Sequence, residues 1–416
     1  MNPVREPDFD LVVIGAGPAG TAAAIHARRQ RLNVLLLERE KFPRAKVCGG
    51  CLSAAGAARA ADLLGPDAEL PGIREQRITW VTRWGRRLSY RSHGQSRVTL
   101  RSELDWALLR AARAAGTVVR EGVHAIPQTR PEGWAVNVGG EMVRARVLLV
   151  ACGLSGAKWF NRESVGQSHA PERRMIGWQW LQPTAATGLA PGEVEMHWLR
   201  GGYVGVACPS AELTNVAMAI EARLYRSNNG PAYAGVARAL AQLRDANPSA
   251  RIWPRLELDG VEGEAVRPGV TGETPVPQRG VRAVGGFPSA PHRIGDRNLL
   301  LVGDAAGYGE PFVGDGMTLA MLSGELAVRA ICQTARRGPS AESLVACYTE
   351  LMRRFHRPLM RRARMLGSFL RQPWLDVMDA RLPRWWPTAP FVWLIARLHA
   401  DGYSAMQERP WTATPE

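Results

Sequence analysis

Residues 10–38, DLVVIGAGPAGTAAAIHARRQRLNVLLLE, constrain this chain more than any other stretch. DLVVIG is an apolar, β-branched run of the kind expected for a strand buried on both faces. Gly15, Gly17 and Gly20 follow it at G-x-G-x-x-G spacing. Gly15 suits a tight turn, Gly17 lets backbone approach a pyrophosphate, and Gly20 lets the next helix pack closely on the strand. The Ala-rich segment from Thr21 to Arg29 is that helix, and the amides around Pro18 and Ala19 would turn the positive end of its dipole toward phosphate. A second apolar strand from Asn33 to Leu37 ends in Glu38, followed by Arg39, where a carboxylate can accept hydrogen bonds from a ribose diol. A glycine triplet alone is also an ordinary turn. The order strand, triplet, helix, strand, acid makes it a dinucleotide grip.

A second stretch lies some three hundred residues on. RNLLLVGDAAGYGEPFVGDGMTLAMLSGELAVRA reads as a strand (Asn298 to Val302), a turn at Gly303-Asp304, and a glycine-rich loop feeding a long helix from about Gly316. It resembles the GD motif of flavoproteins with the para-hydroxybenzoate hydroxylase fold. The resemblance implies that Asp304 hydrogen-bonds the ribityl chain of FAD and that the loop Pro311 to Met317, with Gly314 and Gly316, lies against the flavin ring. A helix N-terminus there would stabilise negative charge on a reduced flavin. A simple helix cap is the plainer reading of Asp304. Between the two motifs, VTLRSELDWALLRAARAAG sets Arg101 and Asp105 at the head of an amphipathic helix. Similar flavoproteins use such an arginine on the cofactor, so Arg101 is a candidate, with an ordinary surface arginine as the alternative. No further G-x-G-x-x-G follows a strand after residue 100, so no separate nicotinamide domain is expected. NADPH or NADH is expected as a transient reductant, or another protein delivers the electrons.

Residues 42–53, FPRAKVCGGCLS, resemble the F-P-R-x-K-x-C-G-G signature of the geranylgeranyl reductase group within the same flavoprotein class. This resemblance covers roughly residues 8–170 and 280–345. It implies that Lys46, Cys48, Gly49 and Gly50 run beside the isoalloxazine ring, where paired glycines fit a close approach to a planar ligand. Cys48 and Cys51 stand at C-x-x-C spacing; without a second C-x-x-C or an H-x-x-x-H, no metal is expected. Three readings remain open: plain pocket lining, a flavin-facing thiol at Cys48 acting in catalysis, and a disulfide.

Together these imply an α/β fold. A Rossmann-type FAD-binding domain (residues 1–75, 99–170 and 280–345) is interleaved with a mixed β-sheet substrate domain (76–98 and 171–279), and a C-terminal helical segment (346–416) follows. The middle of the chain is rich in β-formers between turn residues. Trp178, Trp180, Trp198 and Tyr203 are candidates to line a substrate pocket, although aromatics at strand spacing are more often core.

Charge and cysteine content narrow the function classes. The net charge of +15 comes almost wholly from arginine, since only Lys41, Lys46 and Lys158 are lysines, and it forms no long basic block. Nucleic acid is therefore not expected as a partner; anionic cofactors, acidic substrates or lipid headgroups suit the balance better. Six cysteines and a start, MNPVREPDFD, that carries both charge signs lead to the expectation of a cytoplasmic protein. From Leu351, apolar residues recur at helical spacing among Arg353, Arg354, Arg357, Arg361, Arg362 and Arg364, with a kink expected at Pro358. This segment is either a packed appendage or an interfacial helix giving peripheral contact at the inner face of the membrane.

The expected activity is that of an FAD-dependent monooxygenase, oxygenating a lipophilic or aromatic small molecule through a flavin C4a-hydroperoxide. Alternatives are saturation of prenyl C=C bonds of the geranylgeranyl reductase type, halogenation, and a non-catalytic flavin carrier or sensor. GYVGVACPS has Gly205 where archaeal geranylgeranyl reductases resemble one another in a tryptophan, which weighs against alkene reduction. His292 and Glu310 are acid-base candidates, each with a structural role as the alternative.

Overall fold

A computed structural model describes residues 8–82, 85, 87–92, 95–130, 133–155, 175–199, 201–221, 282–285, 293–308, 310, 314–337 and 341–370. His292, Pro311, Lys158 and the tryptophans beyond residue 370 lie outside the described residues.

The first body is built on a six-stranded sheet in the order Gly295–Asp296, Leu299–Leu301, Ala145–Val150, Phe9–Ile14, Val34–Glu38, Val118–Glu121. All its pairings are parallel except that of the Gly295–Asp296 edge. Parallel strands covered on both faces need apolar side chains in both directions, which is why Leu11, Val12 and Val13, and Leu35, Leu36 and Leu37, are all fully buried. The first strand lies between Val34–Glu38 on one side and Ala145–Val150 on the other, so the order reverses at its carboxyl end. That crevice is where ligands of such sheets bind, and Gly15 sits in it.

The phosphate-turn helix spans Pro18–Arg29, with proline in its first turn where no amide partner is needed. It begins earlier than the Ala-rich run alone indicates. It packs beside the helices Arg101–Ala114 and Gly316–Arg337. An antiparallel three-stranded sheet over residues 125–143 sends Val136, Val138 and Val143 into the same core.

The second body is a seven-stranded sheet in the order Arg282–Gly285, Met175–Pro183, Leu213–Glu221, Gly202–Ala207, Glu193–Leu199, Arg77–Val81, Arg87–Arg91. Only Glu193–Leu199 with Arg77–Val81 is parallel. Strand alternation sorts its side chains into two sets. Trp178, Trp180, Val204, Val206, Val216 and Met218 form a separate core on one face. Trp80, Met196, Trp198 and Tyr203 cluster on the other, together with Leu366 from the helix Arg357–Leu370.

The helices Ala341–Leu351 and Arg357–Leu370 are joined by a π-helical turn, Met352–His356. Pro358 can neither donate a hydrogen bond nor fit its ring against the carbonyl four residues back. The chain widens one turn earlier, and Pro358 enters as the second residue of a new helix. Leu359, Met360 and Ala363 are buried, whereas Arg353, Arg354, Arg357, Arg361 and Arg362 are exposed. Among the described residues, no helix is long and apolar enough to cross a membrane.

Candidate functional site

The three glycines of the first turn are needed for different reasons. Gly15 has φ +108°, and a β-carbon there would meet the Ala151 carbonyl oxygen at 2.4 Å. One on Gly20 would stand 1.9 Å from the Gly15 carbonyl oxygen. Both are demanded by the fold itself. A β-carbon on Gly17 would meet only guanidinium tips, Arg44 Nη2 at 3.7 Å and Arg101 Nη2 at 3.9 Å. Among the described residues nothing requires glycine at 17, and its missing side chain leaves the turn open.

The cations over this turn are held by carboxylates. Arg101 donates twice to Asp105, Nε to Oδ1 and Nη2 to Oδ2, both at 2.7 Å, and Arg44 Nη1 stands 3.2 Å from Asp105 Oδ2. Burial alone would raise the Asp105 carboxyl, but Arg101 and Arg44 outweigh it and hold the group below the usual carboxylate range. Arg44 also reaches Glu38 at 3.8 Å, and Glu38 Oε2 accepts the Ala16 amide at 2.8 Å. Lys46 lies 3.9 Å from Asp304, with its ammonium pKa lowered by burial and by Arg101. Two cations, Arg44 and Arg101, are thus fixed over the turn, with Lys46 next to them beside Asp304. This donor set suits a pyrophosphate.

The turn at residue 303 folds onto the same place. Gly303 has φ +64°, and its missing β-carbon would stand 2.9 Å from that of Ala19. Beyond it, a β-carbon on Gly314 would reach only Cys51, at 3.8 Å, and one on Gly316 would meet nothing within 4 Å. The same holds for Gly49. Gly17, Gly49, Gly314 and Gly316 therefore border space that no side chain of the described residues fills. Met317 is buried in the first turn of its helix.

The CGGC segment is tied down on both sides of that space. Gly50 (φ +78°) accepts the Thr99 amide at 2.8 Å, and Cys51–Leu52 pairs with Arg97–Val98. Ser53 caps the next helix and meets Thr318 at 2.9 Å. The Cys48 amide donates to Gln179 Oε1 at 3.1 Å, and its carbonyl accepts from Asn215 Nδ2 at 3.0 Å. All six cysteines are free thiols. Burial, with Glu75 nearby, pushes the Cys51 thiol far up, so it stays protonated.

Because Gln179 and Asn215 reach Cys48, their face of the seven-stranded sheet is the one turned to the open space. Register adds Gly177, Gly205, Ala217 and Ala219 to it, a floor of small residues, and Tyr203, Met196 and Trp198 beside them. Trp198 stacks on Trp80 with centroids 6.0 Å apart. Tyr203 lies close enough to Tyr308 to help raise its hydroxyl pKa, after burial, which is the larger cause.

Several expected residues stand elsewhere. Trp178 and Trp180, expected in the substrate pocket, lie on the opposite face in the second core, because even-numbered positions of that strand point away from Cys48. Arg39 is exposed and pairs with Glu40. Glu310 packs against the C-terminal helix, where a β-carbon on Gly367 would stand 2.5 Å from its Cδ. Asp304, Tyr308, Glu310, Asp315 and His356 line a pocket between the Gly303 turn and that helix. Sequence reasoning missed Arg44, although FPR was in view, and missed Trp80, Gln179, Asn215 and Tyr308, which no local pattern marks.

Residues 10–146 match the family described as FAD dependent oxidoreductase. Protein FixC of Salmonella typhi is 26% identical over 384 residues, covering 89% of this chain and 87% of its own. A digeranylgeranylglycerophospholipid reductase of Methanosphaerula palustris is 24% identical over 364 residues, covering 83% of this chain and 82% of its own. Among solved structures, a triple mutant of the flavin-dependent brominase Bmp2 superposes with a TM-score of 0.69 at 19% identity, covering 97% of this chain and 96% of that one. That likeness shows a shared fold.

Proposed function

We propose that this chain, which belongs to the FAD-dependent oxidoreductases, is a monooxygenase of a lipophilic or aromatic small molecule bound between the glycine-bordered space and the small-residue floor of the sheet. The observation that carries this reading is the character of that floor. Gly205, Ala217, Tyr203, Met196 and Trp198 put no charged group over the space, so a bound substrate would be desolvated as oxygen transfer requires.

FAD, when bound, supplies the redox chemistry, and the chain supplies the grip. Gly15, Gly17, Pro18, Ala19 and Gly20 form the pyrophosphate turn, with Arg44 and Arg101 above it. Glu38 faces the adenosine ribose. Lys46, Gly303 and Asp304 serve the ribityl side. Cys48, Gly49, Gly50, Gly314, Gly316 and Met317 border the ring, where the dipole of the helix Gly316–Arg337 favours negative charge. Trp80 and Trp198 wall the substrate, and Leu366 closes that wall. NADPH or NADH is the reductant, binding transiently.

A second reading, reduction of an isolated C=C bond, is favoured by the reductase relative. The Cys51 thiol and the Tyr308 hydroxyl lie near the space as neutral groups, and the burial that keeps their protons on also opposes giving them up, so neither is an efficient acid for that reaction. Anaerobic reduction by NADPH, followed by admission of air with a panel of aromatic and prenylated compounds and mass analysis, separates the two. Products heavier by one oxygen atom support oxygenation. Products gaining two hydrogens without oxygen uptake replace it with reduction.

A further inference from the structure

Gln179 and Asn215 form a closed ring of hydrogen bonds with the backbone of one residue, Cys48. Gln179 Oε1 accepts the Cys48 N–H at 3.1 Å, Gln179 Nε2 donates to Asn215 Oδ1 at 2.7 Å, and Asn215 Nδ2 donates to the Cys48 carbonyl at 3.0 Å. The backbone decides both amide orientations. The Cys48 N–H can only meet an oxygen and the Cys48 carbonyl only an N–H, and the two remaining amide atoms then match one another. Gln179 is 8% exposed and Asn215 1%. Two buried amides with their chief partners satisfied are costly to replace singly, and an apolar pair would pack the sheet more simply. The ring also explains Gly50. A β-carbon there would stand 3.0 Å from Asn215 Nδ2 and keep the side chain from closing on Cys48.

We propose that Gln179 and Asn215 are positioning residues, through which the substrate sheet holds the backbone of Cys48 at the edge of the flavin ring. This rests on the reading of the Gly49, Gly314 and Gly316 space as the ring side of the FAD site. Gln179 pairs in register with Ala217, which pairs with Gly205, so a molecule on the floor lies beside the ring of bonds. Substrate on one side and cofactor on the other are thereby joined through the backbone of Cys48.

The test is Asn215→Asp. Its carboxylate keeps the bond from Gln179 but presents an oxygen to the Cys48 carbonyl, and only the protonated acid can donate there. Burial raises the pKa of such a carboxyl, so the defect should reverse as pH falls from about 8 to about 6. Among the described residues, Cys51, Arg101 and Tyr308 are the titratable groups that feel the charge of Cys48; the thiol and phenol stay neutral and the guanidinium charged across that range. At pH 8 the variant should bind FAD at least about tenfold more weakly, with a shifted visible flavin spectrum, both recovering at pH 6. In the flavin-free chain, N-ethylmaleimide should alkylate Cys48 several-fold faster than in wild type, read by mass mapping. Asn215→Ser, uncharged and too short to reach the carbonyl, gives the same alkylation result without pH recovery and serves if the aspartate variant does not fold. A folded variant with wild-type spectrum, FAD affinity and Cys48 alkylation overturns the proposal. A wild-type chain that takes up no FAD overturns the flavin reading instead, while the alkylation arm still reads the ring.

Discussion

The β-carbon that Gly303 lacks would stand 2.9 Å from the β-carbon of Ala19. Two turns nearly three hundred residues apart in sequence are therefore pressed together, and the glycines near them fall into two kinds. Some are required by the fold and some only by what the fold holds.

The two kinds should separate by substitution. Gly303→Ala puts a methyl into contact with Ala19 at a left-handed φ, and should cost about 1 to 3 kcal/mol. Gly17→Ala meets only movable guanidinium tips, so denaturant midpoints should match wild type while FAD affinity falls about tenfold or more. Equilibrium unfolding with FAD titration measures both; a Gly17→Ala chain that binds FAD normally would remove the phosphate turn from the site.

Asp105 is fully buried between Arg101 and Arg44. Asp105→Ala leaves the Arg101 guanidinium buried without its bidentate partner, and should cost about 3 to 5 kcal/mol of stability. Urea unfolding of the flavin-free protein reads the loss directly, apart from any effect on cofactor.

His356 links stability to pH. Its ring is buried, with Nδ1 lacking a partner, and burial lowers its pKa to about 4 despite a bond to the Leu319 carbonyl. An unfolded-state histidine titrates near 6.5, so the folded chain binds the proton less readily than the unfolded one. The histidine should cost nothing above about pH 6.5 and should draw off stability as pH falls toward 4, by about 3 kcal/mol in all. His356→Leu should flatten that part of the curve between pH 7 and 4.5, followed by guanidinium melts. An unchanged slope would show that the ring is already accommodated in its charged form.

The two faces of the seven-stranded sheet predict opposite outcomes for similar substitutions. Trp178→Ala empties a buried core position and should cost about 3 to 5 kcal/mol. Trp198→Ala removes a ring from the cluster beside Tyr203 and Trp80, only partly buried, and should cost less stability while raising KM for the substrate. Thermal melts beside steady-state kinetics distinguish them; equal destabilisation with no change in KM would place the substrate elsewhere.

The sequence by itself determined the elements whose physics is local. A glycine triplet after a buried strand, an acid at the end of the next strand and a glycine-aspartate turn before a long helix each state a backbone requirement within a few residues, and each is found where that requirement puts it. Tertiary structure alone decided which face of a strand looks at the site. A one-residue change of parity exchanges Trp178 for Gln179, and both are compatible with a buried strand, so only the partner across the gap selects between them. It also decided the reach of Arg44 to Asp105 and the closing of Gln179 and Asn215 on Cys48, because those bonds join residues with no fixed spacing along the chain and exist only once distant segments have packed together.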